Sequence, residues 1–97
     1  MPNSGRRSSS KHRAVYDWTT VTPSAAVLEV LAVARGVDEL DLAPLYRSVD
    51  PDALDALVGG RPDGRAAGPA EVTFTHEGYD VVVGSAGTVR LFRRDDD

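Results

Sequence analysis

GVDELDLAPLYRSVDPDALDALV, residues 36–58, decides the fold, because it closes one helix, makes a bent crossing and opens a second helix with a legible cap. Asp50 can accept from the free N–H groups of a first helical turn. Pro51 at the first helical position gives up no hydrogen bond, since its N–H would be orphaned there anyway. Asp52 adds negative charge near the positive end of the helix dipole. Leu54, Leu57 and Val58 then share one face, Asp55 points away, and Gly59–Gly60 ends the run. A helix of about two turns is not stable alone, so its leucines must dock on the rest of the fold.

Upstream, Pro44 denies a helical ladder bond and biases Ala43 toward an extended backbone. Leu40, Leu42 and Leu45 therefore read as anchors on a bent connection. Tyr46 and Val49 continue the apolar pattern, with one helical turn over about 44–48. Before it, Thr22 and Pro23 open a helix of about 13 residues whose buried stripe is Val27, Leu28, Leu31 and Ala34, with Val30 at the margin and Glu29 and Arg35 off it. Gly36 can take the left-handed conformation that closes the helix, and Val37 can fold back onto the last turn.

β structure flanks this helical middle. Ala14–Thr20 alternates Val15 and Asp17 against Tyr16 and Trp18 and predicts a short edge strand. Trp18, the only tryptophan, is read as a cap on the core, with an exposed binding anchor as the alternative. Glu71–His76, Tyr79–Val83 and Thr88–Arg93 predict a three-stranded meander, turning at Glu77–Gly78 and at Gly84–Gly87. One face would carry Val72, Phe74, Tyr79, Val81, Val83, Val89 and Leu91 against the helices. The other would carry Thr73, Thr75, Asp80, Val82, Arg90 and Phe92. Val82 and Phe92 on a nominal solvent face imply either a partner or a covering strand, which the segment holding Tyr16 and Trp18 could supply.

The chain has 97 residues and no cysteine, so one domain held by packing is expected, without disulfides or thiolate metal sites. No run approaches the roughly 18 apolar residues that span a bilayer, and no apolar stretch follows the N-terminal arginines, so the default is a cytoplasmic protein. Asp outnumbers Glu by 11 to 4 and Arg outnumbers Lys by 10 to 1, which is the style of salt-loving archaea. Residues 1–13 sum to +4 and the other 84 to −8, giving the total of −4. That leader has too little apolar surface to offset its ordering entropy, so residues 1–13 are expected to be disordered, before a domain over 14–94. Residues 59–70 read as a flexible loop and 95–97 as an acidic tail.

Chemistry is sparse. His76 is the only histidine that could centre a fixed site, because His12 falls in the leader. Ser48, His76 and Asp80 have the residue types of a triad, but no motif fixes their geometry. Asp50, Asp52 and Asp55 are better explained by capping, dipole and exposure than by a metal. No catalytic residue, metal ligand or cofactor is therefore assigned. Arg6, Arg7, Lys11 and Arg13 form a candidate nucleic-acid arm, although such binding falls steeply with salt.

The segment GVDELDLAPLYRSVDPDALDAL, preceded by PSAAVLEVLAVAR and followed by VTFTHEGYDVVVGSAGTV, resembles the halobacterial output domain, first type, over roughly residues 14–92. The shared order is helix, Gly-Val-Asp, a Leu-x-x-Leu-Tyr element, Asp-Pro-Asp-Ala-Leu and a hairpin around Glu-Gly-Tyr. The resemblance implies a haloarchaeal signalling module of the kind found downstream of sensory and receiver domains, and it carries over no catalytic or ligand residues. The fold expected is α+β: two helices and a connecting turn packed on one face of a three- to four-stranded antiparallel sheet. The function expected is a non-enzymatic regulatory module acting through contacts with a protein partner, a homodimer included, through Trp18, Tyr46, Val82 and Phe92. The alternative is a nucleic-acid-binding regulator using the N-terminal arm, with small-molecule binding third.

Overall fold

Thr22 begins α1 (Pro23–Arg35) with an extended backbone and a hydroxyl that accepts from the Ala25 N–H at 3.3 Å. At the other end Gly36 sits at φ 70°; its N–H reaches the Val33 carbonyl, and the Val37 N–H reaches that of Ala32. These paired bonds form a Schellman close. The structure, a computed structural model, describes residues 12–59 and 70–94. Arg6, Arg7 and Lys11 of the candidate arm, most of the 59–70 loop and the 95–97 tail lie outside the described residues.

The buried arc of α1 is wider than the expected stripe. Ala26, Val27, Val30, Leu31 and Ala32 are buried, whereas Leu28 and Ala34 are only partly so. α1 meets α2 (Pro51–Val58) along one flank while it packs on the sheet, so positions on both sides of the stripe lose solvent. α2 starts at Asp50, whose carboxylate accepts from the Asp52 and Ala53 N–H groups at 3.0 and 3.4 Å. Leu54 and Val58 are fully buried.

Two expectations for α2 are corrected. Leu57 is 56% exposed, because eight residues offer one buried ridge and Leu54–Val58 takes it. Asp55 does not point away: it accepts from the Ser24 N–H at 2.8 Å and from the Ser24 hydroxyl at 3.0 Å. A carboxylate from α2 thereby satisfies a free donor in the first turn of α1 and sits at the positive end of its dipole.

The connection between the helices holds two single 3-10 turns, Glu39–Asp41 and Leu45–Arg47. Asp38 caps the first by accepting from the Leu40 N–H at 3.1 Å. Leu42 and Leu45 are buried as expected, but Leu40 is 92% exposed and Tyr46 71%. Neither is an anchor, because each short turn buries only one side and the neighbouring leucine occupies it.

The sheet order is β1-β4-β3-β2, antiparallel throughout, with β1 (His12–Val15), β2 (Glu71–His76), β3 (Tyr79–Gly84) and β4 (Thr88–Arg93). Register places Val83 between Val72 and Val89, and Val81 between Phe74 and Leu91, so these residues share the helix-facing side as expected. β1 covers four residues, beginning at His12, and stops well short of Thr20. Asp17 ends it: its carboxylate accepts from both the N–H and the hydroxyl of Thr19, and its carbonyl accepts from the Thr20 N–H. This side-chain turn outcompetes strand extension.

β1 pairs edge-on with β4 and lies over neither face, so it is not the expected cover for Val82 and Phe92. The open ladder of β4 takes a strand partner before its face does. Val82 and Phe92 are still only 4% and 9% exposed. The Arg90 guanidinium carbon stands 5.7 Å from the centre of the Phe92 ring while its nitrogen bonds Glu71 at 3.0 Å, and Arg94 bonds Asp80 at 3.1 Å. Long arginine stems can shield apolar surface while their heads stay in water.

Candidate functional site

The two-residue loop between β2 and β3 puts Glu77 at φ 56° and Gly78 at φ 83°. Two positive φ values make a type I′ turn, which favours Asn-Gly and gives Glu no help. A left-handed glutamate costs roughly 1 kcal/mol. Its carboxylate offsets that cost: one oxygen accepts from the Ala43 N–H at 2.5 Å, and the other bonds the Arg35 guanidinium. The Ala43 hydrogen bond, with the Arg35 charge assisting, holds the Glu77 carboxyl below its ordinary range.

His76, one residue earlier, is buried at 4% exposure. Its Nε2 lies 2.9 Å from the Ala43 carbonyl and its Nδ1 2.6 Å from the Ser48 hydroxyl. A carbonyl only accepts, so Nε2 donates to Ala43, while Nδ1 and the Ser48 hydroxyl share the second hydrogen bond. Ala43 precedes Pro44 and belongs to no ladder, yet the hairpin satisfies both its N–H and its C=O. The β2–β3 tip is therefore a clamp on residues 43–48. Leu42 and Leu45 pin that segment from beneath, and Leu40 and Tyr46 stand outward from it.

Of the triad types, Ser48 and His76 meet, but Asp80 lies on the other face of the sheet, bonded to Thr75 and Arg94. Asp50 and Asp55 are occupied with the two helix starts, and among the described residues no group of three His, Asp or Glu could hold a metal. Trp18 is half-buried, stacked on Tyr16 with ring centres 5.9 Å apart, and its indole N–H donates to the Gly84 carbonyl at 3.0 Å. Its polar end is therefore committed within the fold. Arg13 lies in β1 opposite Arg90. Sequence reasoning missed the Glu77–Ala43 clamp and the outward Leu40. A poor turn former in a two-residue hairpin was the available signal.

Tyr16 donates its hydroxyl to Glu29 at 2.9 Å. Burial first, then this bond, pushes its pKa up to about 12. In a spectrophotometric titration of the three tyrosines, the last phenolate to form should vanish in Tyr16→Phe. A raised phenol pKa stabilises the fold below the ordinary value of 10.0 and loses that contribution as the pH climbs through about 12.

The family described as Halobacterial output domain 1 matches residues 19–93. The chain belongs to this family. No curated protein and no solved structure matches it. The match to the output domain takes in α1, the clamped connection, α2 and the β2–β4 meander, and it opens at Thr19, beyond β1 and the Tyr16–Trp18 stack. The Glu77–Ala43 clamp thus belongs to the part shared with the family, whereas the edge strand lies outside the matched span. Among the described residues, no helix is long and apolar enough to cross a membrane.

Proposed function

We propose that this output domain is a non-enzymatic regulatory module of the cytoplasm that acts by binding a protein partner through the clamped connection, with Leu40 and Tyr46 as its contact residues. The observation that carries the reading is the pairing of large apolar exposure with a fixed backbone: Leu40 and Tyr46 are 92% and 71% exposed, and the segment beneath is held by His76 and Glu77. An apolar display already fixed in place loses little entropy when it docks, which is what favours a binding element. The family description, an output domain, supports the signalling role. The partner is a second copy or another protein.

Photo-crosslinking tests it. A photoreactive amino acid at Tyr46 should give discrete adducts in cells, the same label at Thr73 on the outer sheet face should give none, and light scattering in molar potassium chloride should show whether the adduct is a dimer. Leu40→Asp with Tyr46→Ala should reduce adduct formation, read with the label moved to Ser48, at least tenfold, since truncated hot spots cost about 2 kcal/mol or more. Thermal stability should move little, because both residues are on the surface. An unchanged adduct yield in the double variant would place the contact elsewhere.

A further inference from the structure

The geometry points to a binding site for a small phosphorylated ligand at the end of the sheet, on the other side of Glu77 from the clamped connection. There an open depression of about 490 Å³ is lined by Ala34, Arg35, Glu77, Gly78, Tyr79, Arg93 and Arg94. That volume falls within the range of about 300–1,000 Å³ common for small-ligand sites. Three arginines against one glutamate give the lining a formal charge of +2 in a chain that totals −4.

The cations are not equally committed. Arg35 is bonded to Glu77, and Arg94 to Asp80 and Thr75. The Arg93 guanidinium has no ion-pair or hydrogen-bond partner, and the Tyr79 hydroxyl has none either, among the described residues. Arg93 is opposite Tyr79 in the β3–β4 register, so the uncommitted guanidinium and the uncommitted phenol belong to neighbouring positions of one ladder. A fold gains little by placing a third arginine beside two that already have partners. An anion gains two or three forked donors and a hydroxyl at once.

Phosphate fits this lining better than a carboxylate does. Guanidinium groups bind phosphate oxygens through paired N–H donors, and neighbouring arginines can take different edges of one group. In concentrated salt the Debye length is about 3 Å, so long-range attraction is lost and only such directional contacts discriminate.

The test is an amide NMR titration of the full chain with pyrophosphate at constant ionic strength, with sulfate as the matched anion. Saturable shifts are expected at Gly78, Tyr79, Arg93 and Arg94, weaker with sulfate, and unaffected by the Leu40→Asp, Tyr46→Ala double variant that tests the docking reading. Arg93→Gln should weaken pyrophosphate binding about tenfold or more. The Arg93 guanidinium makes no bond among the described residues, so this variant should keep the native spectrum; Arg94→Gln is the second variant should it not. Non-saturating shifts that are the same with sulfate, or pyrophosphate binding untouched by both variants, would overturn the proposal.

Discussion

Gly87→Ala is expected to lower stability by about 3 kcal/mol or more, combining a strained backbone with a clash against main chain. Gly87 stands at φ 106°, and an added Cβ would fall 2.3 Å from the Tyr16 carbonyl oxygen. The same pair of residues carries the Tyr16 N–H to Gly87 carbonyl bond at 2.8 Å that continues the chain alongside β4 beyond the end of β1. The obstructing atom is backbone and cannot swing aside as a side chain would. Relief requires the segment holding Tyr16 and Trp18 to lift away from the β3–β4 turn, which breaks the indole bond to Gly84 as well. For a domain this size about 3 kcal/mol corresponds to a drop of roughly 12 °C or more in Tm. Gly78→Ala is the control: φ is 83° there, but nothing stands within 4 Å of the added carbon. It should cost only the conformational term of about 1–2 kcal/mol. Thermal melts followed by near-ultraviolet circular dichroism of Trp18 would compare the two, and equal losses would mean that the close approach at Tyr16 is absent.

The features that sequence reasoning reached are those whose causes lie within a few residues. Thr22–Pro23, Asp50–Pro51 and Gly36 each act on donors or acceptors of the adjacent turn, so their spelling determines the helix ends. Strand alternation is equally local, and the helix-facing set Val81, Val83, Val89 and Leu91 follows from period two alone. Side choice in short turns is different. Whether Leu40 or Leu42 turns inward depends on which surface the connection docks against, and that surface is made by α1 and a hairpin some 30 residues later. Asp55 shows the same limit: its exposure followed from helical spacing, but its partner is the start of another helix. Within the candidate site, Leu40 and Tyr46 both fit the apolar pattern of the connection, and spacing alone does not say that each stands outward.

Glu77→Gly separates the turn from the clamp. Glycine suits φ 56° and relieves roughly 1 kcal/mol of strain, but it removes a charge-assisted hydrogen bond worth about 1.5–3 kcal/mol and leaves the Ala43 N–H without its acceptor. A net loss of about 0.5–2 kcal/mol is expected, with the hairpin itself intact. The loss should be concentrated in the connection, where exchange of the Ala43 amide should quicken about tenfold, as 1.4 kcal/mol of local opening requires. Acidity should reproduce the effect in the native chain. The Glu77 carboxyl is lowered from 4.5 in the folded state, so its contribution is fully present above that ordinary value and fades as the pH falls through the lower folded one. Urea titrations across that window should therefore show a slope for the native chain that is shallower in Glu77→Gly, and identical slopes would mean the carboxylate does not hold Ala43. Because the Glu77 side chain is only 11% exposed, weaker docking in Glu77→Gly would reflect loss of the fixed backbone. That outcome would tie partner binding to the rigidity of the connection as well as to its apolar side chains.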